Sequence, residues 1–204
     1  MKNIIFDFGA VLIDWNPNKV YSSHFKTDEE MERFYEETQI QVLNKQIDKG
    51  VPFDAILNDL SSNFPHHSVP IKLWKTAWHR MIGEPIWGSI SLLKELKEKN
   101  YPLYGLTNWS SETFPYVYYK YDFFHDFIDI VVSGREKTIK PEEKIYKICL
   151  ERNNLAPESC IFIDDNKSNV EMAINLGMAG IVFVNPEQLK QSLVELGIDL
   201  DTKL

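Results

Sequence analysis

Residues 3–12 read Asn-Ile-Ile-Phe-Asp-Phe-Gly-Ala-Val-Leu, and this stretch decides the fold that we predict. Its first four residues form an apolar run with high β-propensity, and the run stops at the carboxylate Asp7. Gly9 follows two residues later and permits a tight turn. We therefore predict a buried strand that ends at one carboxylate, close to the start of the chain.

Beyond residue 85 the chain alternates between helical patterns and short apolar runs. A helix is predicted over 86–99, and further helices are predicted to begin near Ser110 and at Lys140-Pro141. This alternation is typical of a parallel sheet covered by helices on both faces, so we predict the α/β class with a Rossmann-like core. The remaining strands are predicted over residues 102–106, 128–132, 160–163 and 180–184.

Residues 15–85 show a different pattern of apolar residues from the rest of the chain. Apolar residues recur at helical spacing there, for example at Phe53, Ile56, Leu57 and Leu60. We find no strand pattern in this block, which indicates an inserted all-helical cap. The predicted domains are a catalytic core of residues 1–14 and 86–204 and a helical cap domain of residues 15–85.

Composition excludes several classes of partner. The net charge of −8 makes binding to nucleic acid or to an anionic membrane surface unlikely on electrostatic grounds. No window approaches the ~18 apolar residues that a membrane span needs. The only cysteines, Cys149 and Cys160, lie in apolar patterns and are predicted to be core residues rather than a disulfide. We expect a cytoplasmic protein that is a monomer or a weak homodimer.

Polar side chains occur where the predicted strands end. Asp7 follows the first strand, Thr107-Asn108 follows the second, and the pair Asp164-Asp165 follows the fourth. Lys140 lies at a predicted helix start. Ligands bind beyond the carboxyl ends of parallel strands, so we expect these groups to converge. Adjacent aspartates at a buried strand end repel each other, which indicates a lysine or a metal cation beside them.

These segments together resemble the four motifs of the haloacid dehalogenase-like hydrolases. The matching segments are IIFDFGAVL around Asp7, YGLTNWS around Thr107, TIKPEEKIY around Lys140 and IFIDDNKSN around Asp164. The resemblance covers essentially the whole chain, with the insert in the place of that family's cap. Within the family it is closest to the sugar-phosphate phosphatases, such as the bacterial α-glucose-1-phosphate phosphatases.

The resemblance implies a metal-assisted phosphatase. Asp7 is then the nucleophile that attacks phosphorus, and Mg²⁺ is the implied cofactor. Asp7, Asp165 and the backbone carbonyl of Gly9 are the implied ligands, which are hard oxygen donors suited to this ion. Asp164 is expected to orient the water molecules of the metal or to pair with Lys140.

The resemblance also implies how the phosphate is held. The hydroxyl of Thr107 and the backbone amide of Asn108 bind phosphate oxygens, and Lys140 neutralises the charge that develops on them. The implied substrate is a small phosphorylated metabolite.

One position departs from the pattern of most phosphatases in the family. They carry a second aspartate two residues after the nucleophile, as general acid and base, and here that position is Gly9. The leaving oxygen then takes its proton from water, from a substrate hydroxyl or from a cap residue. We therefore expect phosphates with good leaving groups to react fastest. Asn169 stands where many relatives have another aspartate, so it is expected to support the metal site.

Two other functions compete with the phosphatase. A haloacid dehalogenase would attack carbon with Asp7 and use no metal, but the pair Asp164-Asp165 then lacks a compensating cation. A non-catalytic binding domain would explain Gly9, but the presence of Asp7, Lys140 and Asp165 counts against it.

The insert is expected to select the substrate. Its aromatic side chains are candidates for stacking on a sugar, although most of them are expected to pack helices together, and Asn44 and Asp48 are candidates for binding hydroxyl groups. The pair His66-His67 is expected to be solvated rather than to bind metal. The aromatic candidates are Trp15, Tyr21, Trp74 and Trp78.

Overall fold

A computed structural model of the protein describes residues 2–201. Within this range the strands are β1 (Asn3–Phe6), β2 (Ile13–Trp15), β3 (Ile82–Pro85), β4 (Leu103–Thr107), β5 (Asp129–Val132), β6 (Cys160–Asp164) and β7 (Ala179–Val182). The α-helices are α1 (Asn18–Tyr21), α2 (Asp28–Thr38), α3 (Ile40–Asp48), α4 (Phe53–Asn63), α5 (Ser68–Thr76), α6 (Trp78–Met81), α7 (Trp87–Glu98), α8 (Phe114–Lys120), α9 (Ser133–Glu136), α10 (Glu143–Arg152), α11 (Lys167–Asn175) and α12 (Pro186–Glu195). Short 3₁₀ helices cover Pro65–His67, Asp122–Asp126 and Pro157–Ser159.

The main sheet is parallel, with the strand order β5-β4-β1-β6-β7, so β1 lies at its centre. Ile4 pairs with Leu103 on one side and with Ile161 on the other. Along the chain, β4 and β5 come first and lie on one side of β1, and β6 and β7 follow and lie on the other side. This crossing creates a switch point, beyond which ligands bind in such sheets. The predicted Rossmann-like core is confirmed.

Both faces of this sheet are covered, and β1 shows why. Successive side chains of a strand point to opposite faces. Ile4 and Phe6 accordingly belong to one buried apolar cluster and Ile5 to a second. The first cluster includes residues of α7 and α12, and the second includes residues of α10 and α11. An apolar run buried on both sides therefore fixes β1 as the central strand.

The insert is helical, but the prediction that its block contains no strand was wrong. β2 and β3 form a two-stranded antiparallel ribbon where the chain leaves and re-enters the core, and Trp15 pairs with Ile82. The Asn16 amide donates to the Met81 carbonyl at 2.9 Å and extends this pairing. Helices α1 to α6 lie between the two strands. The ribbon fixes both ends of the insert together.

Local conformation also differs from prediction at three points. The predicted helix start at Lys140-Pro141 is a turn, and α10 begins only at Glu143. The helix after Ser110 begins at Phe114. In the turn after β1, the residue with a left-handed backbone is Ala10, at φ 56°, rather than Gly9. A side chain at Gly9 would therefore meet neither backbone strain nor, within 4 Å, a neighbouring atom.

Cys149 and Cys160 are free thiols buried in the second apolar cluster, as predicted. Within residues 2–201, no helix is both long and apolar enough to cross a membrane.

Candidate active site

The polar side chains predicted to converge do lie together at one edge of the sheet. Asp7 follows β1, Thr107 ends β4, and Asp164 ends β6 with Asp165 directly after it. These strands are parallel neighbours, so their carboxyl ends meet. The Asp7 amide still donates to the Ile163 carbonyl at 2.8 Å, which holds the carboxylate beside the end of β6.

Lys140 lies at the centre of this group. Its ammonium is 2.9 Å from Asp7 Oδ1 and 2.6 Å from Asp164 Oδ2, and it donates to the Leu106 carbonyl at 2.8 Å. Its side chain is 0% exposed. An ammonium has three hydrogens to donate, and three partners surround this one. Lys140 therefore joins the ends of β1, β4 and β6.

The side chain of Asn108 fixes the loop that carries Lys140. Asn108 Nδ2 donates to the Lys140 carbonyl at 3.0 Å, and the Lys140 amide donates to Asn108 Oδ1 at 2.7 Å. This two-point contact explains why residues 140–142 form a turn instead of a helix. The sequence identified Asn108 only through its backbone amide, so this structural role of its side chain was missed.

Asp164 and Asp165 occupy different environments although they are adjacent. Asp164 is buried, and Asn169 Nδ2 lies 3.0 Å from each of its oxygens. The Asn166 amide donates to Asp164 Oδ1 at 2.8 Å, and Lys140 binds the other oxygen. Asp165 is exposed and lines the cavity described below. Of the two roles expected for Asp164, the contacts favour pairing with Lys140.

The site holds more negative charge than Lys140 compensates. Burial is the largest influence on Asp7 and raises the pKa of its carboxyl, against the attraction of Lys140 and with further repulsion from Asp164. The pKa of Asp165 is also raised, because the neighbouring groups partly desolvate its carboxyl although the residue as a whole is exposed, and because Asp164 repels its negative charge. Burial alone would lower the pKa of Lys140, but Asp7 and Asp164 raise it above its usual value. The lysine is thus held charged, while the carboxylates favour a second cation.

The geometry of the carboxylates fits a metal ion. Asp7, Asp164 and Asp165 each offer an oxygen, and these three atoms lie within 4.8 Å of one another. The oxygens of Asp164 are occupied by Lys140 and Asn169. Asp7 and Asp165 are therefore the candidates for direct ligands, and hard oxygen donors of this kind suit Mg²⁺.

The hydroxyl of Thr107 is an unsatisfied hydrogen-bond donor in the described structure. Its side chain is 1% exposed, and no hydrogen bond satisfies its oxygen among the described residues. A buried polar group left unpaired costs about 1–3 kcal/mol, so a bound anion that accepted from this hydroxyl would be stabilised.

A cavity of ≈ 220 Å³ opens beside these groups. Two further donors on its wall, Trp109 Nε1 and Thr113 Oγ1, are buried and unpaired in the described structure. Neither was predicted from the sequence, since only the fold shows that the segment after Asn108 turns back to line the cavity. The lining residues are Gly9, Ala10, Trp15, Asn44, Asp48, Trp78, Asn108, Trp109, Thr113 and Asp165.

The candidate substrate-binding residues of the insert divide into two groups. Trp15, Trp78, Asn44 and Asp48 line the cavity. Tyr21 and Trp74 are fully buried and pack the helices of the insert. The expectation that aromatic side chains mostly serve packing thus fits two of the four.

The pair His66-His67 lies apart from the residues that line the cavity. Both imidazoles approach one carboxylate oxygen of Glu37, at 3.3 Å and 2.8 Å. The pKa of Glu37 is lowered, first by the hydrogen bond from His67 and then by that from His66.

The chain belongs to the haloacid dehalogenase-like hydrolases, because the model of that family matches residues 4–183. The D-ribitol-5-phosphate phosphatase of Bacteroides thetaiotaomicron is 23% identical over 95% of this chain and 97% of its own length. The chloroplast flavin mononucleotide hydrolase 1 of Arabidopsis thaliana is 39% identical over 69 residues, which are 34% of this chain and 27% of that protein.

Solved structures share the fold. A family enzyme of Bacteroides thetaiotaomicron in complex with magnesium and inorganic phosphate superposes with a TM-score of 0.68 at 24% identity, over 91% of this chain and 95% of that one. The L-2-haloacid dehalogenase of Xanthobacter autotrophicus, with chloropropionic acid covalently bound, gives 0.66 at 15% identity, over 96% and 83%. One fold thus serves two chemistries, and the side chains of the site must decide between them.

Proposed function

We propose that this protein is a magnesium-dependent phosphatase that hydrolyses a small sugar or polyol phosphate through an aspartyl-phosphate intermediate. The observation that carries the proposal is the charge balance at the sheet edge, where Lys140 is the one ammonium bound among Asp7, Asp164 and Asp165 in the described structure. A divalent cation balances this set, whereas in a metal-free dehalogenase two of the three carboxylate charges would remain uncompensated.

Asp7 acts as the nucleophile. Its carboxylate is held by Lys140 at the end of the central strand, and it attacks phosphorus to displace the alcohol. Water then attacks the phosphorus of the aspartyl-phosphate and releases inorganic phosphate, which restores Asp7. Splitting the hydrolysis in this way replaces one difficult step by two easier ones.

Asp7, Asp165 and the Gly9 carbonyl would hold the magnesium ion. When bound, the ion supplies a Lewis acid that neutralises charge on the phosphate. Thr107 donates its unpaired hydroxyl to a phosphate oxygen, and the Asn108 amide donates to another.

The cavity favours a small polar substrate. Its volume of ≈ 220 Å³ leaves little room beyond a phosphorylated metabolite of a few carbons. Trp15, Trp78 and Trp109 offer aromatic walls. The name of the D-ribitol-5-phosphate phosphatase supports the same substrate class.

A substrate panel tests this proposal. The purified protein is assayed against sugar phosphates, polyol phosphates, aryl phosphates and 2-chloropropionate, with added magnesium and with chelator. We expect phosphate release only with magnesium, and fastest with a sugar or polyol phosphate. Chloride release from 2-chloropropionate in chelator would contradict the phosphatase and favour the dehalogenase.

Magnesium should also stabilise the folded protein. At a free concentration about 100 times its Kd, a ligand that binds only the folded state adds about 2.7 kcal/mol to the free energy of unfolding. We expect this shift in urea denaturation of the native protein and its loss in Asp165→Asn, which also loses activity. Asp54→Asn is the matched control, because Asp54 is exposed and does not line the cavity. If magnesium raised the free energy of unfolding equally in both variants, Asp165 would not be a ligand of the metal.

A further inference from the structure

None of the described core residues that are assigned to the proposed reaction is free to donate a proton. Asp7 and Asp165 are assigned to the nucleophile and the metal, and Thr107 to the phosphate. Lys140 already donates to three partners. Gly9 has no side chain to contribute. Without a proton donor for the alkoxide leaving group, the reaction is slower by about 10²–10⁴-fold. We therefore expect a donor on the cavity wall that the insert contributes.

Asp48 is the carboxyl group that the insert contributes to the cavity wall. It is the last residue of α3, and its Oδ2 accepts from Asn44 Nδ2 at 2.8 Å. Asn44 Oδ1 in turn accepts from the indole of Trp74 at 2.9 Å, and Trp74 is fully buried. This chain of hydrogen bonds fixes the position of the Asp48 carboxyl group.

The backbone at Asp48 is also held against the core. The Ser133 hydroxyl donates to the Asp48 carbonyl at 2.6 Å, and it accepts from the Trp109 amide at 2.8 Å. Two residues further on, Lys137 donates to the Gly50 carbonyl at 3.0 Å. Asp48 is thus held from the insert and from the core, as a reacting group must be.

The surroundings keep Asp48 protonated near neutral pH. The pKa of Asp48 is raised to about 8, chiefly by burial and to a lesser extent by the charge of Asp7, although hydrogen bonds from the Asn44 amide and the Ser110 backbone favour the charged form. Asp165, on the same cavity wall, adds negative charge on that side.

The other charged groups on α3 and on the helices packed against it are either paired or exposed, and on α4 they are Asp54 and Asp59. Lys49 pairs with Glu142 at 2.6 Å, and Lys45 is exposed. On α9, which packs against α3, Arg135 lies over the ring of Phe114, and Glu136 pairs with Arg152.

We propose that Asp48 is the general acid of this enzyme and donates its proton to the leaving-group oxygen. This inference rests on the proposed phosphatase function. As the bond from Asp7 to phosphorus forms and the ester bond breaks, the Asp48 proton moves to the departing oxygen and gives a neutral alcohol. The Asp48 carboxylate then accepts a proton from the water that attacks the aspartyl-phosphate, so Asp48 ends the cycle protonated.

This role replaces the expectation, drawn from Gly9, that reactivity depends steeply on the leaving group. With a donor in place, the kcat/KM of the native protein should vary little between alkyl and aryl phosphates. Asp48→Asn keeps the shape of the side chain and one oxygen that can accept from Asn44, but it cannot donate an acidic proton. We expect this variant to lose about 10²–10⁴-fold in kcat/KM on alkyl phosphates and less than about tenfold on p-nitrophenyl phosphate.

The matched control is again Asp54→Asn, which should change neither value. An equal loss on both substrate types would make Asp48 a binding or structural residue and overturn the inference, as would no loss on either. If the native protein releases no phosphate from any monoester, the proposed function itself fails and takes this inference with it.

A pH profile of the native protein tests the same role without any substitution. Asp48 carries its proton below its raised pKa and loses it above, so alkyl-phosphate kcat/KM should fall above pH of about 8. The aryl-phosphate profile should lack this decline, because its leaving group departs without protonation. If kcat/KM declined at high pH in the same way for both substrates, the assignment of Asp48 as the general acid would be overturned.

Discussion

Asp7→Asn is expected to reduce phosphate release by about 10⁴-fold or more, because the neutral amide is a poor nucleophile and the first step requires attack on phosphorus. The measurement is kcat/KM on the best substrate of the panel, with magnesium saturating. In the native protein, rapid acid quenching followed by mass spectrometry should find one added phosphoryl group on the peptide that contains Asp7. The variant should show none.

The same substitution should not weaken the fold. The raised pKa of Asp7 means that its carboxyl ionises more readily in the unfolded chain than in the metal-free folded protein. Its contribution to stability therefore falls as the pH rises from the unfolded pKa through the folded one. An amide avoids this loss, so at pH 8 without metal the variant should unfold at no lower urea concentration than the native protein. Retention of more than a few per cent of the activity in this well-folded variant would rule out Asp7 as the nucleophile.

The parallel core was predictable because its signal is local. Four of its five strands are short apolar runs that stop at polar residues, and such runs have few alternatives to burial inside a sheet. β1 was predicted with the bounds that it has, and β4 was displaced by one residue at each end. The site followed from the same signal, because polar groups directly after buried parallel strands must meet at one edge.

The ribbon of β2 and β3 was not predictable in the same way. Its strands span only three and four residues, and β3 contains Gly83 and ends at Pro85. Glycine and proline argue against a strand when only the local sequence is considered. The pairing of these segments depends on the whole insert folding between them. It is therefore a tertiary effect.

The turn at Lys140 shows a tertiary contact overriding a local preference. Proline followed by two glutamates is typical of a first helical turn. Asn108, 32 residues away, instead binds both backbone groups of Lys140, and the ammonium is drawn into the site. By contrast, α12 was overlooked although its signal is local, since Asn185 caps it and Pro186 opens it.

The role of Asp48 was only partly predictable from the local sequence. Its residue type made it a candidate for contact with substrate, but its role as an acid depends on burial and on the distant partners Trp74 and Ser133. Neither burial nor these partners can be read from the sequence around residue 48. Functional groups contributed by an insert are therefore harder to predict than those at strand ends.

Lys140→Met is expected to lower the free energy of unfolding by about 3–5 kcal/mol and to abolish activity. Removing one partner of a buried ion pair leaves the other charge uncompensated, which is the costly case. Here two carboxylates, Asp7 and Asp164, lose their shared cation, and Asp164 is 0% exposed. Methionine approximates the volume of the lysine stem, so the loss measures charge more than packing.

The pH dependence of this loss identifies its origin. Without Lys140, the effect of burial on the Asp7 carboxyl is no longer opposed by an ammonium, so its pKa should lie further above its value in the unfolded chain. Such a group destabilises the fold at pH values above its unfolded pKa, and the penalty shrinks as the pH falls and the carboxyl binds a proton. The difference between native protein and variant should therefore be smaller at pH 5 than at pH 8 in urea denaturation. A difference that does not change with pH would indicate lost packing instead.

Two further variants separate the buried pair from ordinary surface charge. Lys75→Met breaks an exposed pair with Asp54, at 2.7 Å, and should cost no more than about 1 kcal/mol. Adding Asp164→Asn to Lys140→Met removes one of the orphaned charges, so the double variant should be more stable than Lys140→Met alone, with an interaction energy of about 0.5–3 kcal/mol in the cycle. If Lys140→Met costs no more than Lys75→Met, the ammonium does not hold the three strand ends together, and its contribution is confined to the bound phosphate.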